Sequence, residues 1–197
     1  MATPERREAA IVYAELRNFT RLSEVLEAEQ VLALANEFFA LVGRAMTARR
    51  GRVLAPYNDS LIAVFTGDDR LEFSIGAMKA AQDVQREFGA IGERWHEEYG
   101  MPAAVALGLH AGDTVFGMAG PQGAQHYVAF GDCVSIAERL VHRARAGEIV
   151  LSLAFLKAIG ATAQHLRAEE LAPLELPRRP PMPIYGILLD RRLDFTK

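Results

Sequence analysis

A single cysteine in 197 residues, Cys133, leaves no partner for an internal disulfide and no set of thiolates for a zinc site, and it suits a reducing compartment. Neither sign of charge dominates: 22 Lys and Arg against 25 Asp and Glu give a net charge of −3, so no basic surface calls for nucleic acid as a partner. No apolar run approaches the roughly 20 residues that span a bilayer. The start of the chain, Met1 to Glu8, is polar and lacks the apolar stretch of a secretory leader. These absences predict a cytoplasmic chain without a membrane segment. Internal repeats and low-complexity tracts are absent as well.

What is present is enough apolar material for one sizeable core, since 50% of the sequence is hydrophobic. The expected division is a polar tail over 1–8, one domain over 9–190 and a short tail over 191–197. Residues 9–16 (AAIVYAEL) read as a buried strand. From about Thr20 to Ala48, apolar residues such as Leu22, Leu26, Phe39 and Met46 recur at helical spacing. Residues 52–55 and 60–65 read as strands joined by Pro56-Tyr57-Asn58-Asp59. A second long helix is predicted over 71–99, with a break near Gly89 or Gly92. Residues 103–111 and 114–119 read as a hairpin turning at Gly112-Asp113. A strand over 125–130, a helix over 132–145 capped by Asp132, a strand over 148–151 and a short helix capped by Ser152 follow. A proline-rich stretch over 173–183 precedes a last strand over 184–189. The fold class is therefore α+β: a ferredoxin-like βαββαβ core with an antiparallel sheet, two long helices on one face, and C-terminal extensions.

Three segments, in this order, resemble the catalytic domain of class III adenylate and guanylate cyclases. The first is 11–20 (IVYAELRNFT), the second 51–65. The third runs from Leu107-Gly108-Leu109-His110-Ala111-Gly112 through Gly117, Gly120, Tyr127 and Gly131 to Ala137-Glu138-Arg139-Leu140, and ends at 147–152. Pro183 and Tyr185 stand where the family's closing strand has Pro and Tyr. The resemblance implies a site at a dimer interface in which two Mg²⁺ or Mn²⁺ ions polarise the ribose 3′-hydroxyl of a nucleoside triphosphate for attack on the α-phosphate.

Several positions depart from the family pattern. Asp59 matches the second metal carboxylate, and its plainer reading is a turn residue. Glu15 stands in place of the first metal Asp. Its extra methylene displaces the carboxylate, and Mg²⁺ is strict about geometry. A salt-bridged carboxylate at a strand end is the equal alternative. Arg17, Asn18, Phe19 and Thr20 occupy the triphosphate turn, with Asn18 in place of Gly and tolerant of positive φ. Thr20 also reads as a helix cap. Ala55 replaces the purine-reading Lys and Val128 the partner Asp or Thr, and neither can hydrogen-bond a base. Ser135 replaces the ribose-orienting Asn. Arg139 matches the transition-state Arg, one turn further along, although outside the motif it would be an ordinary exposed helix residue. Leu176-Pro177-Arg178-Arg179 shows no phosphate-binding Lys, the histidines have no metal-ligand spacing, and Cys133 reads as a plain buried thiol.

Three functions follow from the resemblance. The leading one is a homodimeric cyclase-like domain in intracellular signalling with weak or lost activity and a regulatory role. The second is an active cyclase of atypical base selectivity. The third is the metal-side half of a heterodimer with another cyclase chain.

Overall fold

Ala9 to Ala14 combine small and β-branched side chains without a charge, and all lie buried on both faces of the sheet. They form the middle of β1 (Glu5–Arg17), the strand around which the computed structural model is organised; residues 3–188 are described. Next come α1 (Phe19–Val25), α2 (Ala28–Ala48), β2 (Arg52–Val53), β3 (Ser60–Phe65) and α3 (Arg70–Tyr99). The chain continues with β4 (Ala104–Ala119), β5 (His126–Phe130), α4 (Asp132–Arg143), β6 (Glu148–Ser152), α5 (Leu153–Ala158), β7 (Glu169–Leu174) and β8 (Met182–Leu188). A 3-10 turn, Gly160–His165, follows α5.

The eight strands form one sheet in the order β2-β3-β1-β4-β6-β8-β7, with β5 on the far part of β4. The first four are mutually antiparallel, as a ferredoxin-like core requires, and β6 joins β4 in parallel, so the extended sheet is mixed. The two long helices, α2 and α3, cover one face through Phe38, Leu41, Met46, Met78, Phe88 and Trp95. By length and composition alone α2 is apolar enough to cross a membrane, contrary to the sequence expectation for this chain, but its Leu34, Phe38, Leu41, Val42 and Met46 lie in this core. The opposite face is covered by α4, whose Cys133, Ile136, Leu140 and Val141 meet Ile11 and Tyr13 of β1.

Several expectations needed correction. No hairpin turns at Gly112-Asp113: β4 runs straight through, because Gly112 pairs with Ala9 and Asp113 with Glu8. Residues 5–8, expected as tail, extend β1 and pair with 113–116 of β4. The turn falls instead at Gly120 and Gly123, both at positive φ, before β5 returns. Gly92 does not interrupt α3; a Cβ there would stand 2.7 Å from the Ala103 carbonyl, so the glycine permits close helix–strand approach. The first predicted helix is two, with Glu27 and Gln30 forming a capping box at the start of α2. Gly131, not Asp132, is the N-cap of α4. Ser152 caps α5 as expected, accepting from the Phe155 amide at 3.1 Å. β7 was not anticipated, and residues 189–197, with the end of the last predicted strand and the C-terminal tail, lie outside the described residues.

The approach of α4 to the sheet depends on Gly108 in β4. A Cβ at this position would lie 2.3 Å from the Ala137 carbonyl oxygen and 2.5 Å from the Val141 nitrogen, both backbone atoms of α4. Gly108→Ala is therefore expected to lower unfolding free energy by about 3 kcal/mol in urea titration, the upper part of the usual range for overpacking. His110, next along β4, is buried and shares a 2.7 Å hydrogen bond with Ser152 Oγ. Burial pushes its pKa down from 6.5 to about 4, with Asp132 opposing and Arg70 assisting. Because the folded value is the depressed one, stability is full above about pH 6.5 and falls by about 3 kcal/mol as pH drops toward 4. His110→Gln should flatten that part of the pH–stability curve.

Candidate active site

Along β1, every second side chain faces α4: Ile11, Tyr13, Glu15 and Arg17. Glu15 stands opposite Ser60 of β3 and Ala106 of β4, at the middle of the sheet. The Asp59 carbonyl accepts from the Leu16 amide at 2.9 Å, which holds the turn before β3 against the end of β1. The two predicted carboxylates, Glu15 and Asp59, therefore share one cleft of about 430 Å³ with the turn from Arg17 to Thr20 and with Glu24. Asn18 (φ 70°) and Asn58 (φ 51°) hold the left-handed positions of the two turns, so Asn18 keeps the backbone bend that Gly provides in the family. Between these turns the Tyr13 hydroxyl lies 3.4 Å from Ser60 Oγ. Burial, and then the Glu138, Glu15 and Asp59 carboxylates, push its pKa upward.

The side chains of the phosphate turn are mostly committed elsewhere. Asn18 donates to the Pro102 carbonyl at 2.8 Å, and Phe19 packs on the helix-side core. The N-cap of α1 is Asn18, and Thr20 is an exposed residue of the first turn, so the cap reading of Thr20 does not hold. Arg17 turns inward. One terminal nitrogen bonds Glu15 Oε1, and the other donates to the carbonyls of Val141 and, at 2.8 Å, Ala144 at the C-terminal end of α4. The second oxygen of Glu15 faces His142 Nε2 at 3.3 Å. Glu15 thus has both oxygens engaged by cationic side chains or potential cations, at 13% side-chain exposure.

That arrangement does not fit a two-metal site. The first carboxylate is already neutralised by an arginine, and among the described residues no three His, Cys, Asp or Glu side chains are grouped to hold an ion. Sequence reasoning did not foresee the part played by His142, because its partner lies 127 residues away in the chain. The Glu15–Arg17 pair was visible in principle, since residues two apart on a strand share a face.

The remaining predicted residues stand apart from this cleft. Ser135 and Arg139 lie exposed on one side of α4, and their side chains form no hydrogen bond or ion pair among the described residues. Within the chain it is His142, not Arg139, that reaches Glu15. Ala55 is exposed beyond the end of β2, and Val128 is half-buried in β5 opposite Gly117. β2 and β5 are bridged by residues to which the sequence reading assigned no part in a site. The Arg52 guanidinium lies 3.5 Å from the Tyr127 ring centroid, and Tyr127 stacks on Phe116 at 6.0 Å with planes 9° apart. In the C-terminal turn Arg179 is locked to Asp132 by two hydrogen bonds of 2.5 and 2.6 Å. Cys133 is buried, and desolvation pushes its thiol up to about 11, which leaves it unreactive.

The family profile of the Adenylate and Guanylate cyclase catalytic domain matches residues 1–187. "Adenylate cyclase 1" of Rhizobium meliloti is 28% identical over 139 residues, which make up 68% of this chain but only 20% of that protein. The chain thus spans about a fifth of that relative's length. Among solved structures, the adenylyl cyclase CyaB from P. aeruginosa superposes with a TM-score of 0.86 at 21% identity, covering 98% of this chain and 99% of that one. The non-canonical dimeric guanylyl cyclase domain of the RhoGC fusion protein from Blastocladiella emersonii gives 0.77 at 18% identity, covering 95% and 98%. With the profile spanning all but the last ten residues, the chain belongs to the class III nucleotidyl cyclase catalytic-domain family.

Proposed function

We propose that this chain is a cyclase-family domain with weak or lost cyclisation that acts in the cytoplasm as a regulatory module, pairing with a second copy of itself. One observation carries the reading: the positions that should recognise the base, Ala55 and Val128, present only hydrocarbon. A hydrogen bond to a charged group contributes about 1.5–3 kcal/mol, so loss of the Lys contact alone removes one to two orders of magnitude in nucleotide affinity. Ser135 adds to the loss, with a shorter reach and one donor in place of two. Pairing is supported in general by the dimeric state, described as non-canonical, of one of the structural neighbours. In a homodimer each substitution enters both sites, so neither site compensates for the other.

A second reading is favoured by the retention of Asp59 and Arg139. The apolar Ala55 and Val128 would then leave an active enzyme tolerant in its choice of nucleoside triphosphate. A heterodimer, in which another cyclase chain supplies purine recognition, explains the altered Ala55 and Val128 but leaves the retained Arg139 without a purpose.

Calorimetric titration with non-hydrolysable ATP, GTP, CTP and UTP analogues in Mn²⁺ separates these readings. No binding at millimolar ligand, with a dimer of native fold confirmed by scattering, is the expected result. Saturable, metal-dependent binding overturns it in favour of an enzyme. Restoring the pair with Ala55→Lys and Val128→Asp should raise purine nucleotide affinity at least tenfold, about 1.4 kcal/mol, and no change would reject the assignment of those positions.

A further inference from the structure

We propose that Arg17 is a built-in cation that occupies the electrostatic role of the first metal ion and, in doing so, ties β1 to the end of α4. The inference uses the geometry around Glu15 and is independent of how Ala55 and Val128 are read.

Glu15 projects from the central strand toward α4 and is largely withdrawn from water. A carboxylate in that position needs a counter-charge. In this chain Arg17 supplies it at Oε1, and His142 Nε2 lies 3.3 Å from Oε2, so both oxygens already have a partner. Arg17 is itself only 18% exposed, and its second terminal nitrogen is spent on the Val141 and Ala144 carbonyls. Those are among the carbonyls that a helix leaves unsatisfied at its C-terminus, where its dipole also favours a positive charge. The guanidinium therefore answers two separate demands, one from the carboxylate and one from the helix end. Its planar fork can do both at once, which a lysine ammonium cannot do in the same geometry. Nε is buried and has no partner among the described residues, so this part of the guanidinium is withdrawn from the open cleft.

A divalent ion at Glu15 would have to displace the guanidinium, leaving an arginine with no acceptor and a helix end without its cap. Asp59 faces the same cleft but is a single carboxylate, too few ligands for an ion by itself. The substitution of Asp by Glu fits this arrangement: a strand Asp is shorter by one methylene and reaches less far toward a partner two residues along.

Manganese binding, followed by electron paramagnetic resonance of the purified chain without nucleotide, tests the inference. The native chain should leave Mn²⁺ free up to millimolar concentration. Arg17→Met, which keeps the stem but not the charge, should bind Mn²⁺ at least tenfold more tightly and gain melting temperature from it, and the double variant with Glu15→Gln should lose both gains. A folded Arg17→Met variant with no gain in Mn²⁺ affinity overturns the proposal. Should Arg17→Met fail to fold, Glu15→Gln in the otherwise native chain still decides. A lowered melting temperature with unchanged Mn²⁺ affinity supports the internal pair. A raised melting temperature together with loss of Mn²⁺ binding identifies Glu15 as a metal ligand instead. Nucleotide binding enters none of these readouts, so the result stands whether or not the domain proves to be an active cyclase.

Discussion

The ladder between β1 and β4 sets the position of everything else. It runs without interruption from the Glu5–Phe116 pair to the Arg17–Ala104 pair, and it lies between the long helices on one face and α4 on the other. A strand so enclosed cannot slip by one residue without exchanging its two faces. Ile11 and Tyr13 would then face the long helices, and Glu15 would be driven into an apolar core with no cation to meet it. Register and charge pairing therefore enforce one another. The close seat of α4 on Gly108 follows from the same ladder, since Gly108 lies opposite Tyr13.

Much of this architecture was legible because it depends on local pattern. The period of apolar residues located both long helices and the central strand, and the family likeness supplied their order. What escaped were features decided by partners distant in sequence. Gly112-Asp113 has the composition of a turn, but Ala9 and Glu8 lie alongside and hold it in a strand. Gly92 has the composition of a helix breaker, but α3 needs the absent side chain to approach Ala103. Asp132 has the composition of an N-cap, but Arg179 claims it. In each case a local preference worth a fraction of the tertiary interaction lost to it.

The site divides along the same line. The pairing of Glu15 with Asp59 at one cleft was readable, because both positions follow from strand ends and a shared turn. The state of Glu15 was not, because it depends on His142 and on two carbonyls of a helix that lies more than 120 residues away. Likewise Tyr127 could be named from the motif, whereas its contact with Arg52 comes from the β4–β5 hairpin folding back across the sheet face.

The shared use of Arg17 by Glu15 and α4 also bears on the routes by which such a chain can change. Removing one member of a buried ion pair leaves a charge without a partner, at a cost of about 3–5 kcal/mol, a large part of the 5–15 kcal/mol by which domains are ordinarily stable. Replacing Arg17 alone strands Glu15 and uncaps the helix; replacing Glu15 alone strands the guanidinium. A descendant could leave this arrangement only through a compensated intermediate in which both positions, and the end of α4, had been rebuilt together. Descent from a metal-binding ancestor would then be far easier to travel in one direction than to retrace.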